Sequence, residues 1–188
     1  MQKPVAYFVA FLIITGLYGC AAKVTKEEDS GMPRAEKKLG LSPSATNKVV
    51  FLIDGNDSVK SGKHWELFLE DWNSSMTAAT AEANIGFMKI GSEEKIPSEV
   101  ATLVRVTVND YRYMAQWARY LVGVMAGNAF MDVTVEFLEL PSHKQRGTRS
   151  YKTSTSGGQG IFSAASPKQI EAVSVEIVSE IKGASARQ

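Results

Sequence analysis

ATLVRVTVNDYRY, residues 101–113, carries the fold class in its alternation. Val104, Val106 and Val108 alternate with Arg105, Thr107 and Asn109. Successive side chains of a strand point to opposite faces, so this segment predicts a strand with one apolar and one polar face. FMDVTVEFLEL, residues 130–140, repeats the pattern with Val133, Val135 and Phe137 against Asp132, Thr134 and Glu136. Two such strands predict a sheet packed on one face and wet on the other, with helices covering the packed face.

The helices are legible on either side. Trp65, Phe68, Trp72, Met76, Ala79 and Ala83 recur at spacings of three and four, which predicts an amphipathic helix over about 62–83, with Glu66, Glu70, Asp71 and Glu82 off the stripe and Asn84 as its stop. Near the C-terminus, Ser166 as N-cap, Pro167 at the first helical position and Gln169 form a capping box. Ile170, Val173, Ile177 and Ile181 follow as a buried stripe, and Gly183 ends it. KVVFLIDG (48–55) is an uninterrupted apolar run and predicts a buried strand; IGFMKIG (85–91) and TRSYKTS (148–154) add two more, the latter after a turn at PSHKQRG (141–147). The expected order is βαββββα. This is an α/β chain of the α+β kind: a two-layer sandwich whose mostly antiparallel sheet of about five strands carries two main helices on one face.

At 188 residues, with 44% hydrophobic and 22% charged composition, the chain fits one domain plus extra sequence. A net charge of +1 gives no field that would recruit nucleic acid. The N-terminus sets the compartment. A basic start at Lys3, the apolar run Val5–Leu17 and the small residues after it read as a secretory signal over 1–19, too short to span a bilayer comfortably. LYGC, residues 17–20, resembles the bacterial lipobox, with Tyr18 an unusual occupant of its middle. Cys20 is the sole cysteine, and lipidation at this position would consume a thiol that has no disulfide partner. Ala21, by resemblance to Gram-negative lipoproteins, favours the outer membrane, with the domain facing the periplasm. Residues 20–47 are rich in charge, hold two prolines and lack aromatics, so they are expected to form a flexible tether of roughly 25 to 30 Å. Residues 48–188 then form the single folded domain.

No chemistry-bearing pattern accompanies this layout. His64 and His143 stand in turn-like polar stretches, no GxSxG, HExxH or paired-Cys motif is present, and neither a catalytic set, a metal nor a cofactor is expected. His143, Lys144, Arg146, Arg149 and Lys152 form a basic strip, read as charge on a solvated sheet edge. STSGGQG, residues 154–160, sets its glycines too far from the following helix for a phosphate loop. It reads as a strand-to-helix hinge, with Ile161 and Phe162 as core plugs and Ser154, Gly157, Gly158 and Gln159 as an exposed contact loop. MAQWARYLVGVMAGNAFM, residues 114–131, is an apolar connection where a short turn would have sufficed. It fits a short helix packed on the sheet, a membrane-inserting hairpin, or a partner surface built on Trp117, Tyr120, Leu121, Val124 and Met125. The expected partners are the membrane, through Cys20, and another envelope protein or a second copy of the chain.

VNDYRY, GVMAGNAFMDVTVEF and YKTSTSGGQGIFSAASPKQIEAVSVEIVSEI together resemble a family of uncharacterised bacterial lipoproteins carrying a domain of unknown function of the 4410 type. The resemblance implies location and fold but no activity. The layout is similar to the TolB N-terminal domain, the curli secretion-channel lipoprotein and the lipoprotein activators of penicillin-binding proteins. Through the second of these it implies, as an alternative, a subunit of an oligomeric secretion or pore complex.

Overall fold

Along strand β2 (Lys48–Gly55), Val49 and Phe51 enter one apolar cluster while Val50 and Leu52 enter another on the opposite face. A strand buried on both sides has no polar alternation to show, which is why its sequence is a continuous apolar run. The computed structural model describes residues 23–27, 38–113, 129–154 and 165–185. The chain is mixed α+β. Its further elements are β1 (Lys23–Glu27), the one-turn helix α1 (Asp57–Lys60), α2 (Trp65–Glu82), β3 (Gly86–Lys89), β4 (Ala101–Arg112), β5 (Phe130–Leu140), β6 (Lys144–Ser154) and α3 (Ala165–Ser185). The six described strands lie in the order β1-β6-β5-β4-β2-β3. β4, β5, β6 and β1 pair antiparallel, whereas β2 runs parallel to both β3 and β4.

The long helices share one face of the sheet. Trp65, Phe68, Trp72, Met76 and Ala79 of α2 meet Ile170, Val173, Ile177 and Ile181 of α3 in the main core, over Val104, Val106, Val108, Val133, Val135 and Phe137. Asn84, at φ 58°, takes the left-handed conformation that stops α2, as its short polar side chain permits. The two helices run parallel. Gln169, near the start of α3, donates to the Ala129 carbonyl ahead of β5, while Lys182, near its end, donates to the Ala83 carbonyl beyond α2. Two details of α3 differ from expectation. Its first residue is Ala165, so Ser166 lies inside the helix, and it continues through Gly183, whose surroundings are open. Gln169 is buried and spends its amide on Ala129, a tertiary bond that no local motif announces.

Three larger expectations are corrected. The second sheet face is not wet throughout: Val50, Leu52, Ala101, Leu103, Leu138 and Leu140 form a second cluster under Ile90 and Ile96. Arg105 holds the covering segment down by reaching Glu93 at 2.7 Å and Glu136 at 3.1 Å. The folded body also begins before Lys48. β1 pairs with β6, Leu39, Leu41, Ala45 and Thr46 are buried, and Thr102 donates to the Ala45 carbonyl. A Cβ on Gly147 would lie 2.5 Å from Leu39, so this glycine, expected in a turn, is the gap in β6 that seats the preceding segment. Finally, β1 covers β6 only over Ser150–Ser154, and the basic strip of β6 divides between partners. Arg149 is buried and paired with Glu180 of α3, and Arg146 pairs with Glu139.

Candidate functional site

In β4 the apolar positions change phase: 104, 106 and 108, then 111 and 113. The structure resolves this as a bulge, Val108 pairing with Val133 but Asp110 with Asp132. One extra residue turns the following side chains over. Tyr111 and Tyr113 therefore reach the helix side, where they pack against the start of α2. Tyr111 lies 4.5 Å from Phe68 and 5.9 Å from Trp65, ring centre to ring centre, and Tyr113 stands edge-on to Phe68 and 5.8 Å from His64. Gly62 makes room for this, since a Cβ there would sit 2.6 Å from the Tyr111 hydroxyl.

The polar ends of these rings are unequal. The Tyr113 hydroxyl donates to Asp71 at 2.8 Å. Burial raises the Asp71 carboxyl above its ordinary range, against the opposing effect of the Tyr113 bond, and burial followed by the Asp71 contact raises the Tyr113 phenol. The Tyr111 hydroxyl is buried with no hydrogen-bond partner among the described residues. Beside it opens a cavity of about 270 Å³, lined by Lys63 and His64 ahead of α2 and by Asp110, Tyr111, Arg112 and Tyr113 of β4. Lys63, Asp110 and Arg112 are the charged residues of that lining. A second cleft, about 240 Å³, lies between the helices at Ala83, Val175, Val178 and Lys182.

His64 and His143 are separated by the length of the sheet. His64 precedes α2 at the end holding Gly55 and Arg112; His143 sits in the β5–β6 hairpin beside the end holding Ala101 and Leu140. Among the described residues no three His, Cys, Asp or Glu side chains gather as a metal site, and no helix is long and apolar enough to cross a membrane. Cys20, Trp117, Tyr120, Leu121, Val124, Met125, Gly157, Gly158, Gln159, Ile161 and Phe162 lie outside the described residues. Ser154 is the last residue of β6, opposite Phe130 and Lys23. The aromatic pocket did not come from motif reading, yet its signal, the phase change within 101–113, was present in the sequence.

No protein-family model and no curated protein matches the chain. Among solved structures it is similar to PelC from Paraburkholderia phytofirmans, a dodecamer, with a TM-score of 0.50 and 11% identity over 89% of this chain and 99% of that one. A DUF330-family protein from Xanthomonas campestris gives a TM-score of 0.46 at 11% identity, over 78% of this chain and 92% of that one. A Caulobacter crescentus protein described as a lipoprotein gives 0.32 at 14% identity, over 74% and 89%. The PelC likeness shows a shared fold. Membership of the 4410-type family finds no support in these matches.

Proposed function

We propose that this chain is a lipid-anchored protein of the bacterial outer membrane, facing the periplasm, that works as a non-enzymatic assembly module by binding a second copy of itself or another envelope protein. The observation that supports this most is the fold shared with a dodecameric protein across nearly the full length of both chains. LYGC at the end of the apolar N-terminal run supports the anchor. The positions of His64 and His143 at opposite ends of the sheet leave them unable to serve one catalytic centre together.

Detergent-extracted protein, measured by light scattering at micromolar concentration, is expected to run as a discrete oligomer. A monomer would remove the self-assembly half of the proposal. Trp117→Asp is expected to abolish oligomerisation or co-purification of a partner while the circular dichroism spectrum is preserved. His64→Ala and His143→Ala are expected to leave the cellular phenotype of the wild type; a loss of function in either would point to an enzyme or ligand site instead. The alternative, a subunit of a secretion or pore complex, is favoured if the oligomer is a closed ring.

A further inference from the structure

The start of β1 lies three residues after Cys20, and Lys23 is in register with Ser154 at one end of the sheet. Extended chain spans at most about 3.6 Å per residue, so Lys23 is within about 11 Å of the cysteine. The same sheet end carries Gly55, Arg112 and Phe130, as the register shows. It also carries the N-termini of both long helices: α2 follows the end of β2, and Gln169 ties the first turns of α3 to Ala129. Each N-terminus is equivalent to about half a positive charge, and the two point the same way. The cavity flanked by Lys63 and Arg112 opens here, and neither cation has an ion-pair partner among the described residues. Asp110 lies in the lining itself, and Asp54, Asp57, Glu66 and Asp132 share this end, so the surface here has no positive field and attraction for an anion rests on Lys63, Arg112 and the helix ends alone.

We propose that this end of the sheet rests on the membrane that holds the lipidated Cys20, with Lys63 and Arg112 gripping the phosphodiester of a phospholipid headgroup at the mouth of the pocket. Arg112 supplies a planar fork suited to two phosphate oxygens and Lys63 a mobile point charge. The proposal rests on the anchoring reading above, because only the lipid fixes which end of the molecule is near the bilayer.

Three measurements keep the two apart. Intact mass of the extracted protein reports acylation, absent in Cys20→Ser; an unmodified wild type overturns the anchor. Since Cys20 is the only cysteine, acylated protein with a cysteine introduced at Lys63, Arg112, Lys95 or Ser142 takes a fluorophore at one site. In liposomes of phosphatidylethanolamine and phosphatidylglycerol containing a headgroup-labelled quencher, labels at 63 and 112 are expected to be quenched several-fold more than those at 95 and 142. Equal or reversed quenching overturns the orientation even if the anchor is present. Finally, dihexanoyl phosphatidylglycerol is titrated into the detergent-solubilised full chain, following tryptophan fluorescence, with Trp65 beside the pocket. Binding is expected to weaken about tenfold in Lys63→Ser/Arg112→Ser, both exposed positions. Unchanged lipid affinity in the double variant, or inorganic phosphate binding as tightly as the lipid, overturns the headgroup assignment, the latter in favour of a free-anion site.

Discussion

Tyr111 and Glu139 show how differently two buried polar groups act. The Tyr111 hydroxyl has no hydrogen-bond partner among the described residues, and burial raises its phenol. An unsatisfied buried donor is a cost, so Tyr111→Phe is expected to leave stability unchanged or raise it by about 1 kcal/mol in urea unfolding. A loss of 2 kcal/mol would mean that the hydroxyl is bonded. Glu139, by contrast, accepts from Ser42 and from Arg146 Nε at 2.6 Å, and these bonds, Ser42 first, hold its carboxyl below the ordinary 4.5. A lowered carboxyl stabilises the fold above the unfolded value and loses that contribution as pH falls through the folded one. Unfolding free energy should therefore decline below about pH 4.5. Glu139→Gln should lower stability by about 1–3 kcal/mol at pH 7 and flatten that acid limb. An unaltered acid limb would show that Glu139 is not its source.

At the scale of elements, α3 is fastened to β6 by a buried ion pair, among other contacts. Arg149 Nη2 lies 2.9 Å and Nε 3.0 Å from the two oxygens of Glu180, and the Tyr151 hydroxyl stands 3.4 Å from the same carboxylate. Such a pair is weak evidence for stability, but removing one member takes away the main opposite charge of the other. Arg149→Ala is expected to cost about 3 kcal/mol, and Arg149→Met with Glu180→Leu to recover most of it. If the double variant is as weak as the single, the pair contributes more than mutual neutralisation. The sequence showed this helix and its stripe clearly, since Ile170, Val173, Ile177 and Ile181 are all buried as their spacing implies. It did not show the pair. Arg149 on a strand and Glu180 on a helix are 31 positions apart, and only packing tells a buried arginine from a surface one.

For the whole molecule, the question is how much of the chain folds. Leu39 sits in a segment whose composition reads as tether, yet it is 3% exposed and fills the gap over Gly147. Leu39→Ala should then cost about 2–4 kcal/mol in thermal or urea unfolding, where a tether residue would cost nothing. The sequence by itself determined the two long helices and the alternating strands β4 and β5, and which side of each is apolar; β1 and α1 it left unmarked. These follow from backbone geometry and the periodicity of burial, which act over a few residues. The tertiary structure decided what depends on distant neighbours. It placed Ile90 and Ile96 on the second face, recruited residues 23–27 and 38–47, and set the parallel pairing of β2 with β4. It also gathered Lys63, Tyr111 and Arg112 at one sheet end, because a single bulge and one glycine let two tyrosines cross to the helix side. Burial is a property of the assembled surface, and composition within a window cannot register the partner that removes the water.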